Sequence, residues 1–288
     1  MSQAAGGYYL PHGTKWPIMG SIGIFTLLLG FSLLLNDSGI GSTLMVIGAA
    51  VIVLMMFLWF GQVIGESESG KYNHEVDVSF RYGMMWFILS EVMFFAAFFG
   101  ALWYARVLSV PWLGGEGTGI STNEFLWSGY EDAWPTNGPA AIGGDFGVIP
   151  TWGIPAINTA LLLSSGVTIT FAHWALKANR RVALVWWMVA TILLGLVFLG
   201  YQALEFAHAY GDLNLTLGSG VYGSTFFMLT GFHGMHVTIG CIMLIVIAIR
   251  CMKGHFTPEQ HFAFEGVAWY WHFVDVVWLG LFTFVYWF

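Results

Sequence analysis

Residues Ile40–Ile64 read IGSTLMVIGAAVIVLMMFLWFGQVI, 25 positions without an Asp, Glu, Lys or Arg. At 1.5 Å per residue a helix of this length reaches about 37 Å. The hydrocarbon core of a bilayer is about 30 Å thick. The stretch therefore predicts a membrane-crossing helix. Upstream, across a tight polar turn at Asn36-Asp37-Ser38-Gly39, lies a second apolar run, Trp16–Leu35. The turn chemistry joins the two as a helical hairpin.

The same pattern recurs downstream at Tyr82–Arg106, Pro155–Leu176, Val182–Glu205, Tyr222–Ile249 and Gly266–Phe288, so seven spans are expected. Composition agrees. Of 288 residues only 9% are charged and 57% are hydrophobic, where a soluble domain carries about 25% charge. These figures exclude a water-soluble globule and a disordered chain. The formal net charge of −7 argues against binding a phosphate backbone, so no nucleic acid is expected as a partner. The two cysteines, Cys241 and Cys251, lie ten apart in one apolar stretch. Ten helical residues span about 15 Å, too far for a disulfide. No Cys/His spacing of a metal site occurs, and no metal ligand is assigned. The start, Met1–Tyr9, lacks a basic region leading into a short apolar run, so no cleavable signal is expected.

Orientation follows from the basic residues. Lys15, Lys71, Arg81, Lys177, Arg180, Arg181, Arg250 and Lys253 share one side of a seven-span chain, and only Arg106 falls on the other. This places the N-terminus in the cytoplasm and Phe288 in the periplasm. The chain divides into a hairpin segment (1–65), an inner linker (66–81) and a bundle of five helices (82–288). The segment Val107–Trp152 has nine Gly, four Pro, five acids and no Lys or Arg. It reads as an irregular outer loop. Its length favours a bacterial inner membrane over a mitochondrial one.

Ionisable residues inside spans are candidates for function, because a charge at the bilayer centre costs roughly 3 kcal/mol or more. Glu91 lies about 14 Å into the third span, among Phe87, Ile88, Val92, Phe94 and Phe95, with no neutralising neighbour in sequence. Its possible roles are proton relay, structural acid, or contact with lipid or a partner. His272 and Asp275 share a face of the last span, and His233 and His236 share one in the sixth. Gly231, Gly234 and Gly240 beside the latter pair read as close helix packing; haem ligation is the competing reading. His173 reads as a lone interior histidine. His261 and Glu265 read as a polar collar at the inner end of the last span.

These residues fall in strings that resemble a known family. Phe264–Trp278 (FEGVAWYWHFVDVVW), Tyr222–Phe227 with Gly231–Val237, Arg81–Met84 through Ser90–Phe95, and Ile157–Ala160 through Ser165–Thr170 are similar to blocks of subunit III of cytochrome c oxidase, in order and over essentially the whole chain. The resemblance implies an all-α membrane protein of seven transmembrane helices, with helices one and two separated from three to seven by a V-shaped, lipid-filled cleft. It implies a core subunit that has no catalytic residue and no redox cofactor of its own. Haem a, haem a3, copper A and copper B would reside in partner subunits I and II. Cytochrome c would be reached through the complex, with phospholipids bound. Its expected roles are assembly, lipid binding, proton uptake and turnover stability in oxygen reduction and proton translocation. By the same resemblance Arg81, Arg250 and Glu91 are expected at lipid, with Arg250 lipid-facing. His233, His236, Glu265, His272 and Asp275 are expected to form a structural polar network.

Two departures stand out. The family's acid-bearing string closing helix two is here Trp59-Phe60-Gly61-Gln62-Val63, so no acid or lipid ligand is assigned at Gln62. The outer loop also looks longer than the family's common form. Three rival readings predict other features. Subunit III of a quinol oxidase usually lacks the first two spans. A haem-binding subunit needs facing His pairs. A stand-alone transporter predicts repeats and broken helices.

Overall fold

The computed structural model describes residues 8–11 and 13–288. The reading of the Met1–Tyr9 start falls largely outside them. The described residues form α1 (Trp16–Leu35), α2 (Gly41–Glu68), α3 (His74–Tyr104), two short helices α4 (Val110–Leu113) and α5 (Ile120–Leu126), then α6 (Ile154–Lys177), α7 (Arg181–Gly211), α8 (Gly220–Lys253) and α9 (Phe262–Leu281). Seven helices are long and apolar enough to cross a membrane, the third of them running from His74 to Leu113. The chain is an all-α membrane protein.

The second and third spans expected from sequence stop short of charged residues at the inner linker, whereas the helices continue past them. Leaving hydrocarbon does not end a backbone hydrogen-bond ladder. Thus α2 runs on through Glu66 and Glu68, and α3 starts eight residues before Tyr82. The expected linker at 66–81 shrinks to residues 69–73. Local sequence sets the α3 boundary: Asn73 Oδ1 accepts the Val76 backbone N–H at 3.0 Å, a side-chain cap. Glu75 and Asp77 occupy the first turn, where acids complement the helix dipole.

Two compact units are distinct, residues 1–82 and 83–288. In the first, the α1–α2 turn closes with Asp37 at φ 56°. Ser38 N–H donates to Leu33 O at 3.0 Å and Asp37 N–H to Leu34 O at 3.1 Å, the paired bonds of a Schellman ending. The helices then pack backbone to backbone. A Cβ on Gly30 would lie 2.5 Å from Met45 N, and Cβ atoms on Gly41 and Gly48 would overlap the backbones of Leu34 and Leu27. Small residues allow this approach in a membrane. Gly30→Val is expected to force the pair apart at a cost of about 1–3 kcal/mol, read as a lowered thermal midpoint of the complex containing the chain. Gly39→Ala, which meets nothing within 4 Å, should leave that midpoint in place.

In the second unit, α8 and α9 lie innermost: 50% and 56% of their most apolar stretches are buried, against 28% for α7. A helix buried on several faces is apolar all round, as the aromatic-rich run after Trp269 requires. Leu162, Met188, Phe198, Val237, Leu244, Trp271 and Trp278 form the centre of this core. Cys241 and Cys251 are both buried and unbridged on α8. The α6–α7 connection repeats the first hairpin's device with Asn179 at φ 53°, and Arg180 N–H donating to Ala175 O at 2.8 Å.

The segment 107–152 is less irregular than its composition suggests. The third spanning helix continues through a wide turn at Ala105–Ser109 into α4, and α5 follows. The remainder is pinned to the α7–α8 connection. Asn214 donates to Gly143 O at 3.0 Å and to Asp145 O at 2.9 Å, and Gly147 N–H donates to Leu213 O at 2.8 Å. Arg106, the one basic residue at this end, lies over the Trp134 ring at 5.8 Å.

Candidate functional site

Glu91 on α3 is not isolated. His236 on α8, 145 residues away, places its Nε2 2.9 Å from Glu91 Oε2. The other ring nitrogen, Nδ1, donates to Phe232 O at 2.7 Å, one turn back on α8. With Nδ1–H committed to a carbonyl, Nε2 is the ring nitrogen that meets the Glu91 carboxyl group. The pair is walled by Phe95, 5.0 Å from the imidazole centroid, and by Tyr270, stacked at 6.4 Å. Tyr270 OH donates to His236 O at 3.3 Å. His236 is nearly buried (7% of its side chain exposed) and Glu91 is the more open member at 21%. This geometry suits proton exchange or a hydrogen bond to a bound group.

The remaining polar residues of the aromatic block stitch α9 to its neighbours. His233, fully buried, has Nε2 donating to Val274 O at 3.2 Å. Its ring meets Trp278 and Phe198. His272 Nδ1 lies 3.6 Å from Asp275 Oδ2, and its Nε2 is 3.4 Å from Thr170 Oγ1 on α6. Asp275 sits where a Cβ on Gly166 would collide with its carboxylate. Trp271 Nε1–H donates to Ser165 Oγ at 2.8 Å, and Trp278 Nε1–H to Thr159 Oγ1 at 2.9 Å. The Trp271 ring fills the space left by two glycines, Gly195 on α7 and Gly240 on α8. Cβ atoms there would come within 2.7 and 2.8 Å of it.

The placements of Arg250 and His173 differ from the sequence expectation, and Arg81 has a partner on its own helix. Arg250 does not face outward: it is buried, and its guanidinium stacks on Phe256 at 4.5 Å. Burial of the last turn of α8 decides this, since Ile247, Ala248 and Cys251 are buried with it. Arg81 pairs with Asp77, one turn back, at 2.7 Å. His173 is not alone, for its Nε2 lies 3.2 Å from His261 Nε2 and 3.4 Å from Glu265 Oε1.

Two polar clusters escaped the sequence reading. Glu205, taken as a span end, is buried because α7 continues to Gly211. It accepts from Tyr286 OH at 2.5 Å and from Gln202 at 3.3 Å. The Gln202/Glu205 spacing of three was the available signal. Gln62 accepts from Trp16 Nε1–H at 2.8 Å and donates to Glu66 at 2.7 Å, and Glu66 also accepts from Tyr72 OH at 2.9 Å. Burial and the Glu66 carboxylate push the Tyr72 phenol above its ordinary range.

Comparison with known proteins bears on all of these residues. The sequence matches the family described as "Cytochrome c oxidase subunit III" over residues 7–125 and 132–288. It is 41% identical to "Cytochrome c oxidase subunit 3" of Marchantia polymorpha over 281 residues, covering 97% of this chain and 96% of the relative. It is 41% identical to the protein of the same name from Triticum aestivum, with the same coverage. With that of Cyprinus carpio it shares 38% identity over 288 residues, covering 100% of this chain and 99% of the relative. Matches of this extent settle membership: the chain belongs to the cytochrome c oxidase subunit III family.

Proposed function

We propose that this chain is the non-redox subunit of a proton-pumping cytochrome c oxidase, packed against subunits I and II, which carry haem a, haem a3, copper A and copper B. One observation carries the non-redox reading. His236, one of the two histidines that a haem reading would enlist, has both ring nitrogens engaged, Nδ1 with Phe232 O and Nε2 with Glu91, so ligation of a haem iron by it would displace one of these partners. Cytochrome c is reached through the assembled complex. The chain's part is to support assembly, proton uptake and turnover stability of its catalytic neighbour, and to hold phospholipid.

The lipid role rests on Arg81 and Glu91. Arg81 is about one-third exposed and held by Asp77, so its guanidinium is presented in a fixed direction suited to a phosphate. Arg250, stacked on Phe256, contributes through packing. The eight basic residues at one end of the spans support a cytoplasmic N-terminus and a periplasmic C-terminus. We place the protein in a bacterial inner membrane on the length of segment 107–152; its relatives in plants and fish make the mitochondrial inner membrane the alternative that localisation decides.

The test is purification through a tag on this chain in mild detergent. Haem absorbance should co-elute with it. Arg81→Ala should lower bound phospholipid per complex while leaving haem absorbance unchanged. A chain that purifies without haem proteins would overturn the assignment. Unchanged lipid content in the variant would overturn the role of Arg81.

A further inference from the structure

At the end of the second unit that carries Lys177 and Arg250, three side chains converge from two helices. His173 Nε2 comes from α6, His261 Nε2 from the residue that opens α9, and Glu265 Oε1 from one turn further on. Their separations are 3.2 Å between the two nitrogens, 3.4 Å from His173 to Glu265 and 3.1 Å from His261 to Glu265. The geometry points to a binding site for one divalent transition-metal ion of zinc's size and ligand preference, held by these three atoms.

Three features support it. First, a tetrahedral ion with ligand bonds of about 2.0–2.2 Å sets neighbouring ligand atoms about 3.3–3.6 Å apart. The observed triangle needs adjustments of only a few tenths of an ångström. Second, the tautomer is fixed. His261 Nδ1–H donates to Thr257 O at 3.1 Å, which leaves the Nε2 lone pair directed at its two neighbours. A carbonyl acceptor behind the imidazole is the usual support of a metal-bound histidine. The carbonyl is itself held in a closed turn, with Thr257 N–H donating to Gln260 O and Gln260 N–H to Thr257 Oγ1.

Third, the donor set is compact: His261 Nε2 and Glu265 Oε1 lie 3.1 Å apart. The side chains are 22%, 7% and 12% exposed, so water screens them poorly. Lys177, one turn beyond His173, is exposed. Two imidazoles and one carboxylate favour zinc or its neighbours over magnesium or calcium. Three protein ligands leave one coordination position open. A bound ion would tie α6 to the start of α9. The expectation of no metal came from ligand spacing along the chain, and here the first ligand lies 88 residues before the second.

The experiment uses the intact complex, stripped with a chelator and loaded with radioactive Zn²⁺ in excess. Partner subunits can hold zinc of their own, so the readout is a difference. His261→Gln and Glu265→Gln keep volume and polarity. Each should lose about one equivalent of retained zinc per haem-containing complex relative to wild type, with His173→Gln matching from the other helix. An anomalous difference map at the zinc edge should show one peak about 2.0–2.2 Å from the three atoms. The map uses wild-type complex, so it decides even where a variant fails to assemble. Equal zinc in wild type and assembled variants, or no peak between the three side chains, would overturn the site.

Discussion

Trp271→Ala is expected to destabilise the second unit by about 3–5 kcal/mol, the range for removing a large buried aromatic. The ring is fully buried and touches three helices at once. It bonds Ser165 on α6 through Nε1, and it occupies the room provided by Gly195 on α7 and Gly240 on α8. Alanine would leave a cavity bordered by helix backbones, which relax little, and a buried serine hydroxyl without this partner. The effect should appear as release of the chain from the complex at a markedly lower temperature or denaturant concentration. Trp186, which is largely exposed on α7, provides the comparison: Trp186→Ala should shift the same midpoint little. Gly240→Ala probes the same space from the other side, because its Cβ would come within 2.8 Å of the indole. It should cost about 1–3 kcal/mol. Similar midpoints for Trp271→Ala and Trp186→Ala would contradict this packing.

The second large effect concerns the Glu91–His236 pair. Removing one member of a buried pair typically costs about 3–5 kcal/mol, because the other is left without compensation. Glu91 is about one-fifth exposed, so part of that cost is relieved from its side. We therefore expect His236→Leu, which leaves the Glu91 carboxyl group without its partner beside aromatic side chains, to cost more than Glu91→Leu, which leaves the imidazole its bond to Phe232 O. The double variant should be less destabilised than the sum of the singles, with a coupling of about 0.5–3 kcal/mol. Midpoints of chain release measure all three. Strict additivity would mean that the two side chains do not act as a pair.

Much of this architecture was legible in the sequence. Seven apolar runs located seven helices, and for α1 the expected and observed limits coincide at Trp16 and Leu35. The errors share one physical origin. Hydropathy marks where a helix is apolar, and a helix ends where its hydrogen-bond ladder is capped. The Asn73 cap moved the start of α3 to His74, and the continuation of α7 to Gly211 drew Glu205 into the interior.

The polar sites were less legible, because their partners are distant along the chain. Spacing along one helix brought His272 and Asp275 together in the reading. It gave no sign that His236 would meet Glu91, or that His173 would meet His261. Arg250 shows the same limit. The family resemblance placed it at lipid, whereas the burial of the last turn of α8 turns it onto Phe256.

The central proposal is that this subunit supports an oxidase whose redox centres lie in its partner subunits. The most direct measurement is the partition of haem and copper when the chain is removed from the purified complex by detergent. The account predicts that haem absorbance and copper content stay in full with the depleted complex, and that the released chain has no Soret band. A Soret band or stoichiometric copper travelling with the released chain would contradict it.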